Sequence, residues 1–284
     1  MNEPSNLIGV FCDQGMIGSA YLGMLQAGLM AGCRIWDGVL LTKSFDISKS
    51  DIPELAQQLH KRSPLRGVVL PEPMSAMREL IDTLTAIKLP TVRITPPSNI
   101  VGAYDICIDN RRAAQDLTNY LIGLGHRRIA FVKGPSDHND ANERFDVFCQ
   151  AMMEAKLPII DELCVQAATF DYSSGLIAAD QILSVTPLPT AVFACNDELA
   201  AALIAVASDR GMIVPNDISV VGFDDAPAAR FVRPQLTTCR QDMELIGYLA
   251  VEFIMNPSAS PEISLRHQPH ELVIRDSAAP PRER

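Results

Sequence analysis

The chain has no C-x-x-C pair and no His/Cys cluster; its seven cysteines are scattered from end to end. An odd, dispersed set of this kind reads as reduced, mostly buried thiols in a cytoplasmic protein rather than as a disulfide framework or a metal site. No apolar run reaches the ~18 residues of a membrane span. The opening segment, Met1 to Asn6, has neither a basic region nor an apolar core, so no signal peptide is expected. Positive charge is in deficit: the net charge is −10. That argues against this chain gripping nucleic acid by itself, because binding phosphates needs a basic face. Catalytic signatures are missing too, with no G-x-S-x-G, no phosphate-binding P-loop and no H-E-x-x-H. Gly15 and Gly18 lack the full G-x-G-x-x-G spacing of a dinucleotide loop. No catalytic residue, cofactor or metal is therefore expected.

What is present is a core. Of 284 residues, 48% are hydrophobic and 20% charged, the balance of a globular chain long enough for one or two domains. The clearest unit lies between Thr190 and Phe223. Two apolar runs, Thr190 to Ala194 and Ile218 to Phe223, read as buried parallel strands. Between them, Asn196 or Asp197 can cap a helix on which Leu199, Ala202, Leu203 and Val206 recur at helical spacing, and Gly211 and Pro215 end it. Polar turns, Cys195-Asn196-Asp197 and Gly222-Phe223-Asp224-Asp225, follow each strand, at the sheet edge where α/β proteins bind ligands.

The same alternation runs through the rest. Strands are expected at Leu7–Cys12, Val39–Thr42, Gly67–Leu70, Pro90–Ile94 and Tyr104–Ile108, with helices at Tyr21–Ala31, Ile52–Arg62, Met74–Lys88 and Asn110–Leu124 between them. A second series follows: strand Arg128–Val132, helix Asn142–Ala155, strand Leu163–Ala167, helix Tyr172–Ser184, and then the unit above. A helix at Asp242–Met255 and a strand at Glu271–Arg275 come late. Two β-α-β series of ~100–120 residues imply two doubly wound sheets, and the late elements allow the chain to cross between them more than once.

A set of short words occurs in one order along the chain: Gly125 to Phe131, Asn142-Glu143-Arg144-Phe145, Phe170 to Gly175, Phe193 to Glu198, Val214 to Asp225, Pro234-Gln235-Leu236-Thr237-Thr238 and Glu271 to Arg275. Together they make the chain resemble the effector-binding core of LacI/GalR (lac-repressor/purine-repressor) regulators. The resemblance implies an α/β protein of the periplasmic-binding-protein type I fold, two doubly wound parallel-sheet lobes with multiple crossovers. It places residues 5–124 with 240–257 in one lobe, 125–237 with 269–277 in the other, and leaves 278–284 as a disordered tail. The family's DNA-binding helix-turn-helix is absent from this chain, and the first loop, Asp13 to Tyr21, departs from the family pattern.

The resemblance also implies a small-molecule effector, a sugar or sugar derivative, held between lobes in a homodimer that reaches operator DNA through the missing amino-terminal domain, in the cytoplasm and away from membranes. Asp224, ending a buried strand, can accept two adjacent hydroxyls, or cap the next turn. Asn196 can contact ligand, cap its helix, or both. Arg144 stands near a helix start, where the dipole disfavours a cation, and in the family it forks onto the ligand. Phe170 can stack on an apolar ring face or simply fill core. Tyr21 and Asp13 are candidates from the first loop. Asp225 reads as the structural member of its pair. Glu72, Ser44 and Asp46 read as solvated loop residues, Asp109 as a helix cap, His126 as a structural turn. Met74 to Leu84 and Ala226 to Val232 suit either a two-fold interface or internal packing. The alternative function is a periplasmic sugar-binding protein of a transporter.

Overall fold

Strands buried on both faces need near-continuous apolar runs, and these runs become parallel sheets. The computed structural model describes residues 6–96, 104–256 and 265–282. In chain order the elements are β1 (Leu7–Asp13), α1 (Ala20–Ile35), β2 (Val39–Phe45), α2 (Ile52–Arg62), β3 (Gly67–Leu70), α3 (Arg78–Ala86), β4 (Thr91–Ile94), β5 (Tyr104–Ile108), α4 (Asn110–Gly123), β6 (Ile129–Lys133), α5 (Asn139–Glu154), β7 (Cys164–Gln166), α6 (Tyr172–Ile182), β8 (Ala191–Ala194), α7 (Asp197–Asp209), β9 (Ser219–Val221), α8 (Pro227–Phe231), β10 (Thr238–Arg240), α9 (Met243–Met255), β11 (Leu265–Gln268) and β12 (Glu271–Val273). They divide into two compact units. One comprises Met1–Ile108 with Asp242–Gln268, the other Asp109–Gln241 with Pro269–Arg284.

The first unit is built on a parallel sheet in the order β11-β5-β4-β3-β1-β2. Phe11, Ile52, Val68, Leu70, Met74, Leu80 and Leu84 pack one core on it. Each such side chain contributes ~1.5–3 kcal/mol of burial. The Met74 to Leu84 face is thus spent on internal packing, the second of its two alternatives. A tight turn at Met74–Ala76 precedes α3, so the helix is shorter than the apolar spacing implied. The returning helix α9 lies directly against α1, and a Cβ at Gly28 would overlap the Glu244 backbone carbonyl. Only glycine permits that approach. Glu72 is 2% exposed, which corrects its reading as a solvated loop residue.

The second unit carries a parallel sheet in the order β7-β6-β8-β9 and a small antiparallel pair, β10-β12. Helix α4 belongs here, not with the first series as the domain boundaries implied. It opens on Asp109, whose Oδ1 accepts from the Arg112 N–H at 2.9 Å. The tail also needs correction. Ser277 is fully buried, and its Oγ donates to the Val220 carbonyl. Ala279 exchanges bonds with the Ser219 hydroxyl, and its carbonyl meets His126 Nε2 at 3.0 Å. These side-chain bonds from Ser219 and His126 hold the chain through Ala279 despite the two prolines that follow. Strand β11 lies where the sequence carries no strand signal. Leu-Arg-His-Gln has no apolar period, and it becomes a strand only by pairing with β5. Among the described residues no helix is long and apolar enough to cross a membrane.

Candidate functional site

In the second unit β6 has β7 on one side and β8 on the other. The loops leaving β6 and β8 therefore diverge from a switch point, where a crevice opens at the carboxyl ends of the strands. Arg144, Phe170, Asn196 and Asp224 belong to this unit. Asp13 and Tyr21 belong to the first unit.

The turn after β9 holds Asp224. Its φ is +109° and that of Asp225 is +55°. Left-handed backbone at non-glycine residues costs ~1–3 kcal/mol each and persists only where surroundings enforce it. The enforcement is visible. The Gly222 and Asp224 N–H groups donate to the carbonyls of Thr237 (3.0 Å) and Cys239 (2.7 Å). Below them Asp197, wholly buried, accepts from the Ala226 N–H at 2.7 Å and the Thr238 hydroxyl at 2.6 Å. A Cβ on Gly222 would collide with that Asp197 carboxyl. Asp225 takes Arg230 (2.9 Å), Arg240 (2.8 Å) and Arg275. Burial alone would raise its pKa, but the three guanidiniums outweigh it and hold the carboxyl below its usual range. Asp225 is the structural partner, as its position suggested.

That frame leaves Asp224 free for chemistry. It is 6% exposed, and its Oδ1 accepts from Gln241 Nε2 at 2.6 Å. Among the described residues Oδ2 accepts no hydrogen bond. Gln241 Oε1 is buried with no partner. Burial pushes the Asp224 carboxyl up to about 6, against the pull of Arg144 and the Gln241 bond. Two acceptors, one of them a half-satisfied carboxylate, thus stand together wanting donors.

Arg144 lies in the second turn of α5, since the helix begins at Asn139 rather than Asn142. The helix dipole therefore bears less on it there. Its burial is what sets it apart. Arg144 is 4% exposed, with Nε on Asn110 Oδ1 and Nη1 on the Cys195 carbonyl, both at 2.8 Å. Its guanidinium carbon sits 3.6 Å from the Phe223 ring centroid, a stacking worth ~2 kcal/mol when desolvated. Nη2 makes none of these bonds. Asn110 is itself held by Asp140 and Glu143.

Asn196 takes its capping role: Oδ1 accepts from the Leu199 N–H at 3.0 Å and Nδ2 donates to the Phe170 carbonyl at 3.0 Å. The cap thereby fixes Phe170, which is half-buried with its ring edge-on to His138, centroids 4.9 Å apart. Burial, reinforced by Arg144, lowers the His138 imidazole to about 3, so it is neutral near pH 7. In the first unit Asp13 ends β1 and caps its own turn, accepting from the Gly15 N–H at 2.9 Å and the Ile47 N–H at 3.4 Å. Tyr21 lies in the first turn of α1. His126 bonds Thr190 and Ala279 and is structural. The sequence reading missed Asn110, His138 and Gln241. Each is a polar residue in a loop or at an element end, and only the tertiary register brings it to Arg144 or Asp224.

A family profile described as periplasmic binding protein-like domain matches residues 118–278. Catabolite control protein A of Priestia megaterium is 33% identical over 204 residues, 70% of this chain and 60% of that protein. The HTH-type transcriptional repressor PurR of Pasteurella multocida is 37% identical over 163 residues, 56% of this chain and 48% of that protein. The chain thus spans about half to three-fifths of the length of these curated relatives. Among solved structures, a transcriptional regulator CelR–cellobiose complex superposes with a TM-score of 0.84 at 23% identity, covering 97% of this chain and 86% of that one. These relatives are regulators by name, in agreement with the motifs read from the sequence. With the profile covering more than half of its length, the chain belongs to the periplasmic binding protein-like domain family.

Proposed function

We propose that this chain is the ligand-sensing and dimerisation part of a LacI-type transcriptional regulator, acting in the cytoplasm. Its effector is a small polyhydroxylated molecule, a sugar or sugar derivative. The observation that carries the reading is the pair of open acceptors, Asp224 Oδ2 and Gln241 Oε1, beside the buried guanidinium of Arg144. Adjacent hydroxyls donate to the first two and accept from the third. Phe170 offers its ring to the apolar face of such a ligand, and Asn196 holds Phe170 in place. The cellobiose in the CelR complex supports a sugar, and the repressor name of PurR supports regulation over transport.

Dimerisation is supported by large apolar side chains left in solvent in both units, Phe231 at 79% and Ile35 at 69% exposure. Operator binding is assigned to an amino-terminal helix-turn-helix domain outside residues 1–284, in keeping with the HTH-type name of PurR. Effector affinity and DNA affinity must then be linked reciprocally.

A thermal-shift screen of sugars and nucleobases tests the ligand class. A ligand at 100 times its Kd adds roughly 2.7 kcal/mol. A sugar that raises the melting temperature of the native chain but not of Asp224→Ala supports the reading. Stabilisation by a nucleobase alone would overturn the sugar assignment, and an equal shift in both proteins would move the site elsewhere.

A further inference from the structure

The edge of the first unit's sheet carries polar side chains where a buried parallel sheet calls for apolar ones. Arg93 on β4 pairs in register with Asp105 on β5 and donates Nε and Nη2 to it at 2.7 and 2.6 Å. Two residues on, Cys107 pairs in register with His267 on β11, with Sγ 3.5 Å from Nδ1. Thr95 follows β4, and its N–H donates to the Ile106 carbonyl at 2.9 Å. It is 5% exposed with φ +45°, and its buried hydroxyl has no partner. A buried hydroxyl without a partner costs ~1–3 kcal/mol.

The other cysteines differ from Cys107. Cys12, Cys33, Cys195 and Cys239 are buried. Cys149 and Cys164 are half-buried like Cys107, but among the described residues neither has an imidazole partner. Cys107 is half-buried on β5, His267 is exposed on the edge strand, and among the described residues only Cys107 has an imidazole at hydrogen-bonding distance. An accessible thiol beside a base is the environment that makes cysteine nucleophilic.

We propose that Cys107 is a modification site, a thiol oxidised by hydroperoxides with His267 as its proton acceptor and Thr95 as a hydrogen-bonding group at the same sheet end. His267 Nδ1 takes the thiol proton, and the thiolate sulfur attacks the terminal peroxide oxygen. An S–O bond forms as the O–O bond breaks. The leaving oxygen takes the proton from the imidazolium and departs as water or alcohol. Sulfur is oxidised by two electrons to sulfenic acid and the peroxide is reduced by two. Arg93 and Asp105 are the charged neighbours on the same face and neutralise each other.

The test uses the whole reduced chain, hydrogen peroxide, dimedone to trap sulfenic acid, and peptide mapping near pH 7. Dimedone should mark Cys107 before Cys149 and Cys164. The mark should vanish in Cys107→Ser and form at least about tenfold more slowly in His267→Gln. Iodoacetamide should alkylate Cys107 faster than the other thiols, with the same loss in His267→Gln. Equal labelling of Cys107, Cys149 and Cys164 in the native chain would overturn the proposal without any variant. So would an unchanged Cys107 rate in a folded His267→Gln.

Discussion

Asp224→Asn separates the function of this carboxylate from its cost. An aspartate ordinarily titrates near ~3.9; in the folded chain burial raises Asp224 to about 6. The folded state therefore holds this proton more tightly than the unfolded state. Its contribution to stability is fully present below about pH 4 and is lost as the pH rises through about 6. A difference of about two pKa units corresponds to roughly 3 kcal/mol at neutral pH, an order-of-magnitude figure. Asparagine keeps the shape and stays neutral, so it removes that penalty. The amide can still meet Gln241, and Arg144 keeps Asn110 and the Cys195 carbonyl. Urea or thermal unfolding of both proteins from about pH 4 to 7.5 reads the difference. The two should be similar near pH 4, and the variant should gain up to about 3 kcal/mol by pH 7. Each kcal/mol corresponds to ~2–4 °C. A gap that does not change with pH, or a variant less stable than the native chain at pH 7.5, refutes the reasoning.

Ligand affinity should carry the same proton with opposite consequence. Hydroxyls donate to the carboxylate, so affinity should climb up to about tenfold per pH unit below about 6 and level off above it, by isothermal titration. Arg144→Lys should lose both the Asn110 bond and the stacking on Phe223, weakening ligand binding and costing roughly 2–4 kcal/mol in denaturant unfolding. Two glycines of α1 should diverge. Gly28→Ala meets the Glu244 backbone and should destabilise by more than about 2 kcal/mol, while Gly23→Ala meets open space and should stabilise by about 0.5–1 kcal/mol in the same assay.

Much of this arrangement was legible in the sequence because its causes are local. The apolar runs at Ala191–Ala194 and Ser219–Val221 and the cap at Asn196 specify strand, helix and strand within one short stretch. Asp224 and Asn196 could be picked out because they follow those strands directly. The missing pieces depend on distance along the chain. Gln241 reaches Asp224 because the segment after β9 runs beside β10. Asn110 reaches Arg144 across 34 residues, a register no local pattern encodes. Strand β11 has no apolar period of its own, and the early start of α5 was hidden by the polar run Ser136-Asp137-His138. The burial of Glu72 escaped notice because a carboxylate between prolines looks the same from sequence whether solvated or enclosed.

Calorimetric titration of the native chain and Asp224→Asn, with a sugar that shifts the native melting temperature, is the most direct test. The account expects a variant that folds at least as stably yet binds at least about a hundredfold more weakly, the loss of a charge-assisted pair of hydrogen bonds. Equal affinity in the two proteins would contradict it, because the ligand would then owe nothing to the carboxylate around which the second unit's turn is built.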